Sequence, residues 1–297
     1  MKSRSGIEML TRVLVIATLL AATLAHAKVV EEQFDLPVEV VDAFGKQIAQ
    51  PIKVTVFNDD ALPGPKPVIV INHGRAGEPA ERAALGRARY ADASRWFARL
   101  GFIVALPTRI GYGLSGGEDV EDSGGCSRKN YPPGYKAAAR QTLAVLSAVR
   151  ARPDARQDRS VVLGQSYGGA TSVAVAALNP PGVAAIVNFA GGGGGDPKAR
   201  PREPCAPQSL KRMFADFGAT ARVPMLWVYT ENDLYWGPTL PRTWFDAFRE
   251  AGGRGEFVQM PPHGEDGHTL FARFVPAWQP VVATFLRANG FEIKEPP

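Results

Sequence analysis

Val161-Val162-Leu163-Gly164-Gln165-Ser166-Tyr167-Gly168-Gly169 reads as a buried strand, a sharp turn and the start of a helix. The run of small residues over 170–177 continues that helix. Ser166 stands at the apex of the turn. Gly164 and Gly168 flank it because a Cβ at either position would clash where the chain reverses. Such a turn lifts the serine hydroxyl off the sheet edge and aims the next backbone N–H at the same point in space. A short G-x-S-x-G match also arises by chance, so its meaning rests on the rest of the chain.

Outward from this stretch, apolar runs alternate with helical stripes. Residues 67–72, 102–106, 160–163, 183–189, 225–230 and 256–260 are short continuous apolar runs, as expected of strands buried on both faces. Residues 36–41 and 52–57 are β-rich segments around a polar turn near Gly45 and read as an antiparallel pair. Three sets of apolar residues recur at spacings of three and four, the mark of one helix face. They are Ala93, Trp96, Phe97 and Leu100, then Ala139, Leu143, Leu146 and Val149, then Trp278, Val281, Val282 and Phe285. The alternation predicts an α/β fold with a mostly parallel sheet of about eight strands, helices on both faces and sites at the strands' carboxyl ends. Residues 191–207 open with five glycines and continue with charged residues and prolines, so an irregular loop or small cap is expected there.

The first 27 residues read as a secretory signal peptide. Lys2, Arg4 and Arg12 precede the apolar run 14–24, and Ala25-His26-Ala27 has the small-x-small form of a cleavage site. Residues 28–297 then form the catalytic domain of an exported protein, periplasmic or secreted, with no later apolar run of membrane-spanning length. Removing the leader would lower the formal charge of +5 by two. The remaining Lys and Arg residues are scattered, which argues against nucleic acid as a partner. Cys126 and Cys205, the only cysteines, lie in loop-like segments; in an exported protein such a pair reads as a disulfide.

A serine hydroxyl becomes a good nucleophile only when a base takes its proton and an acid orients that base. Beyond the leader the chain has three histidines, His73, His263 and His268. His73-Gly74-Arg75 ends a strand and suits an oxyanion loop, with N–H donors from Tyr167 and from near Arg75. His268, preceded by a glycine and placed where the last helix should begin, is the expected base, ahead of His263. Asp233, just past the strand at 225–230, is the expected acid, with Glu231 as the fallback. The loop holding His263 and His268 lacks the helical spacing of a metal-binding H-E-x-x-H, so no metal is expected.

The order Ser166, Asp233, His268 is that of an α/β-hydrolase triad. With His73-Gly74, Arg109-Ile110-Gly111-Tyr112-Gly113-Leu114-Ser115-Gly116 and the 164–169 turn, the chain resembles the α/β-hydrolase superfamily from about residue 38 to the C-terminus. It is most similar to dienelactone hydrolases and prolyl-oligopeptidase-like esterases. The resemblance implies hydrolysis through an acyl-enzyme, with neither metal nor organic cofactor. Dienelactone hydrolases carry cysteine at the nucleophile position, so Ser166 argues for a general hydrolase of small-molecule esters, and the chain is expected to lack the propeller domain of the larger oligopeptidases. Tyr112, Tyr131, Tyr135, Tyr235 and Trp236 are candidates for the pocket wall, and Arg75 and Arg109 for meeting a substrate carboxylate. A peptidase or amidase, an acyltransferase and a non-enzymatic binding module remain as alternatives on the same scaffold.

Overall fold

The computed structural model describes residues 29–293, so the leader expected over 1–27 lies outside the described residues. The strands are β1 (Val29–Val41), β2 (Gln47–Asp59), β3 (Lys66–Asn72), β4 (Ile103–Thr108), β5 (Ala155–Gln165), β6 (Val183–Phe189), β7 (Met225–Thr230) and β8 (Gly255–Met260). They form one sheet in the order β1-β2-β4-β3-β5-β6-β7-β8. β1 pairs with β2, and β2 with β4, antiparallel; every other pairing is parallel.

The helices are α1 (Pro79–Ala83), α2 (Ala91–Arg99), α3 (Tyr131–Arg150), α4 (Tyr167–Ala177), α5 (Pro207–Thr220), α6 (Leu240–Glu250), α7 (Leu270–Arg273) and α8 (Val275–Ala288). Side chains along a strand point alternately to the two faces, and the central strands fill a core on each. In β3, Val68 and Val70 join the core under α3–α6, while Ile69 and Ile71 join the core under α2, α7 and α8. In β5, Val162 faces the first core and Val161 and Leu163 the second. Continuous apolar runs are therefore required in these strands, because neither face meets water.

The β1–β2 hairpin is longer than its apolar parts suggested, running in register from Val29↔Asp59 to Val41↔Gln47. The edge strand β1 alternates exposed with partly buried residues, so its outer half has no core signal to read. Helices α5 and α6 also went unread. Each has proline in its first turn, where a missing N–H costs nothing. Residues 191–207 are free of helix up to Pro207, apart from one isolated bridge between Asp196 and Arg200. The Cys126–Cys205 disulfide is formed and ties the segment before α3 to the segment before α5.

Candidate active site

Ser166 lies between the last residue of β5 and the first of α4, with φ 58° and ψ −124°. A side chain in this left-handed region is strained and persists only where the surroundings force it. Here the forcing is steric. A Cβ on Gly164 would fall onto the Gly168 carbonyl, and one on Gly168 onto the Asn72 carbonyl, backbone in both cases. The turn is fixed by the Ser166 N–H donating to the Phe189 carbonyl at 2.8 Å and by the Gly169 N–H donating to the Ser166 carbonyl at 2.9 Å. Tyr167 opens α4, and N–H groups in a helix's first turn have no intrahelical acceptor.

His268 stands in a single 3-10 turn, Gly267–Thr269, capped by Asp266, whose carboxylate accepts from the His268 N–H at 3.0 Å. The same Asp266 oxygen accepts from the Leu234 N–H at 3.0 Å, which joins the loop after β7 to the loop after β8. Across that junction His268 Nδ1–H donates to Asp233 Oδ2 at 2.9 Å. Asp233 is wholly buried, and its Oδ1 accepts from the N–H groups of Tyr235 (2.7 Å) and Trp236 (3.1 Å). With Nδ1 committed to the carboxylate, Nε2 is left as the basic nitrogen. The imidazole stacks on Tyr235 at 3.9 Å and meets Trp236 edge-on at 5.4 Å. Gln165 donates to the His268 carbonyl at 2.9 Å and accepts from the Tyr90 hydroxyl at 2.9 Å. Burial pushes the Tyr90 phenol up to about 12, so it stays a neutral donor. Ser166 and His268 line one cavity of about 480 Å³. No hydrogen bond joins their side chains among the described residues; this contact is commonly loose until substrate binds.

The His73-Gly74-Arg75 loop presses on Ser166: a Cβ on Gly74 would lie 3.2 Å from the Ser166 Cβ. A buried polar cluster holds the loop from below. His73 Nδ1–H donates to the Gly74 carbonyl at 2.7 Å, and its Nε2 accepts from the Arg109 N–H at 3.2 Å. Burial and the nearby Arg109 charge keep this imidazole well below its ordinary pKa. Arg109 Nη1 donates to the His73 carbonyl at 2.9 Å, and its Nε pairs with Glu121, both side chains being wholly buried. Tyr112 donates to Glu121 at 2.7 Å and packs edge-on against His73 at 4.6 Å. Arg75 forks onto Asp119 through bonds of 2.6 and 2.5 Å. Burial opposes the Asp119 charge, but the bonds and charge of Arg75 outweigh it and hold the carboxyl below its usual range.

Several expected pocket residues are thereby reassigned. Tyr112 is buried in the cluster and lines neither cavity beside Ser166. Arg109 is enclosed by Glu121, and the Arg75 guanidinium is taken by Asp119, so neither is open to a substrate carboxylate. Tyr135 is buried and donates to the Gly192 carbonyl at 2.8 Å. Tyr235 lines both cavities, and Tyr131 and Trp236 line the second, described below. Glu231 is exposed at the end of β7, and His263 sits in the outer loop against Pro261. Asp266, Gln165 and Glu121 were not anticipated. Each acts across loops distant in sequence, which no local motif reports.

The family described as serine aminopeptidase, S33, matches residues 63–234, from the start of β3 to just past Asp233. The chain belongs to this family. As a member it is a serine hydrolase, and solved structures agree on its α/β-hydrolase fold. A dienelactone hydrolase from Klebsiella pneumoniae subsp. pneumoniae is similar at TM-score 0.56 and 16% identity, over 86% of this chain and 99% of that one. An acetyl xylan esterase from Thermoanaerobacterium sp. is similar at TM-score 0.56 and 15% identity, over 89% and 88%. A Pyrococcus horikoshii acylaminoacyl peptidase is similar at TM-score 0.62 and 14% identity, over 91% of this chain but 43% of that one. No curated protein sequence matches this S33 family member.

Proposed function

We propose that this protein hydrolyses small carboxylic esters through an acyl-enzyme on Ser166, with His268 as general base and Asp233 as its orienting acid. The observation that carries the reading is the His268 Nδ1–Asp233 Oδ2 bond beside a serine held at positive φ. In this reading, His268 Nε2 takes the Ser166 proton as the hydroxyl attacks the ester carbonyl. The N–H groups of Tyr167 and Arg75 receive the developing oxyanion; losing one such donor typically costs roughly 10²–10³ in rate. The Arg75 N–H has no acceptor among the described residues. His268 then protonates the leaving alcohol, and water activated by the same nitrogen releases the acid. Export accompanies this reading, since a disulfide belongs to an oxidising compartment. No helix among the described residues is long and apolar enough to cross a membrane.

The test is hydrolysis of p-nitrophenyl acetate and butyrate by wild type and Ser166→Ala, beside phosphonate labelling mapped by mass. Turnover lost in the variant, with one adduct on Ser166, is the expected result. Turnover retained in Ser166→Ala would sink the mechanism. A peptidase reading is favoured by the family's description and uses the same residues with an amine leaving group. Aminoacyl-p-nitroanilides assayed beside the esters separate the two.

A further inference from the structure

Ser166 lies at the junction of two cavities rather than at the bottom of one. The first, described above, is lined by His268. The second, of about 350 Å³, is lined by Ser166, Tyr167 and the glycine tract 192–195, but not by His268. The two sides are chemically unequal. A leaving alcohol must take its proton from His268 and so departs through the first cavity. The acyl group then occupies the second, next to Tyr167, on the proposed reading of Ser166 as nucleophile.

The second cavity has a definite chemical character. Four successive carbonyls of the tract are turned toward the protein. Gly191 accepts from the Tyr229 hydroxyl at 2.7 Å, Gly192 from Tyr135 at 2.8 Å and Gly194 from the Cys205 N–H at 2.9 Å, while the Gly193 carbonyl lies 3.3 Å from the Tyr131 hydroxyl, which donates to the Cys205 carbonyl at 2.5 Å. The N–H groups of Gly193, Gly194 and Gly195 have no acceptor among the described residues. Backbone donors inside a protein are rarely left unpaired, which leaves these N–H groups available to a ligand or water in the cavity their residues line. Successive unpaired N–H groups form a concave site suited to an anion. The tract must be glycine to lie there: a Cβ on Gly193 would come within 2.7 Å of the Tyr135 hydroxyl, and one on Gly195 within 2.7 Å of the Tyr235 and Trp236 rings.

Two cations complete the wall. Lys129 and Arg200 line the cavity, and neither has a carboxylate at ion-pair distance among the described residues. Lys129 Nζ reaches only the Ser123 hydroxyl, at 3.2 Å, while burial lowers its pKa. Asp122 and Asp196 also line the cavity, so its wall carries carboxylates beside the two cations, each carboxylate also bonded within its own loop. Asp122 accepts from the Gly124 N–H at 2.9 Å, and Asp196 from the Lys198 and Ala199 N–H groups at 3.1 and 3.0 Å. The Cys126–Cys205 bridge fastens the Lys129 segment to the segment carrying Arg200.

The geometry points to an acyl-side subsite for an ionised carboxylate, held by Lys129, Arg200 and the 193–195 N–H groups. The preferred substrates are then half-esters of dicarboxylic acids, cleaved at the ester end remote from the free carboxylate. This rests on the serine-hydrolase reading above, and it is tested so that the two can fail separately. Mono-p-nitrophenyl adipate and p-nitrophenyl hexanoate differ at the far end of a six-carbon acyl chain. Wild type is expected to favour the adipate in kcat/KM, with the preference shrinking as salt screens the cations. Lys129→Met and Arg200→Met should each cut the adipate-to-hexanoate ratio by roughly tenfold, the scale of one charge-assisted hydrogen bond.

A binding arm uses free adipate titrated calorimetrically into Ser166→Ala and into Ser166→Ala carrying Lys129→Met. Binding that is lost with Lys129 supports the subsite without any turnover. Hydrolysis of both esters without charge preference, and no adipate binding, would overturn the subsite while leaving the hydrolase intact. Lys129-dependent adipate binding with neither ester cleaved would uphold the carboxylate subsite and overturn the hydrolase reading.

Discussion

His268 Nδ1 lies 2.9 Å from Asp233 Oδ2, and the other oxygen of that carboxylate is held by the N–H groups of Tyr235 and Trp236. The aspartate is therefore bound on both sides before it meets the imidazole. It selects the tautomer that leaves Nε2 basic, and it can follow no other proton. Asp233→Asn keeps an oxygen for the two backbone donors and replaces the acceptor facing Nδ1 with an amide N–H. The imidazole must then present Nδ1 as acceptor and Nε2 as donor, the wrong tautomer for a base. On the proposed mechanism kcat should fall by roughly 10⁴ while the fold stays intact, as checked by steady-state kinetics beside circular dichroism.

Ser166 carries backbone strain, which on the proposed mechanism serves the nucleophile and not the fold. Its φ of 58° costs a non-glycine residue about 1–3 kcal/mol. Ser166→Gly removes that strain but adds about 0.5–1 kcal/mol of unfolded-chain entropy. The variant should therefore be more stable by about 1 kcal/mol and inactive toward esters. Denaturant midpoints of wild type, Ser166→Gly and Ser166→Ala decide this; a glycine variant no more stable than wild type would show the turn to be unstrained.

These three residues were read from the sequence for different reasons. The Ser166 turn announces itself locally, because Gly164, Gly168 and the flanking apolar run are all within five residues. Asp233 and His268 were read from the shortage of histidines and from their places after two strands, the first an apolar run buried throughout and the second an edge strand that is only partly buried. What stayed hidden is what loops bring together. Glu121 is one of four acids in residues 118–122, and only the fold places it against Arg109 with both wholly buried. Arg75 and Arg109 therefore read as open cations when they are paired, while Lys129 and Arg200, which have no carboxylate at ion-pair distance among the described residues, were not read as pocket residues. Tyr112 misled in the same way: an aromatic near a strand end suits a pocket wall, but its hydroxyl is required by Glu121.

The Arg109–Glu121 pair fixes the His73-Gly74-Arg75 loop through the His73 carbonyl, so on the proposed mechanism its loss should reach both stability and rate. Removing one partner of a buried pair leaves the other charge uncompensated, at a cost of about 3–5 kcal/mol. Glu121→Ala should be destabilised by that amount. Glu121→Gln keeps an acceptor for Arg109 and Tyr112 and should lose less. On the proposed mechanism the Arg75 N–H acts on the oxyanion and not on bound ester, so in both variants that fold kcat should drop more than KM rises. Equal kcat in Glu121→Gln and wild type would limit the pair to a structural role.

His73 should make stability fall on mild acidification. Its Nδ1–H donates to the Gly74 carbonyl while Nε2 accepts from the Arg109 N–H, so both nitrogens are satisfied only in the neutral ring. A proton on Nε2 would face that N–H and the buried Arg109 charge, and burial with that charge lowers the folded-state pKa. The unfolded chain takes up a proton near pH 6.5, where the folded chain does not. The stability from neutral His73 is thus fully present above about pH 6.5 and is lost progressively as pH falls toward the depressed folded value. Chemical-denaturation midpoints between pH 7.5 and pH 5 should decline for wild type and decline less for His73→Asn, whose side chain takes up no proton. Parallel curves for the two proteins would place the acid sensitivity elsewhere.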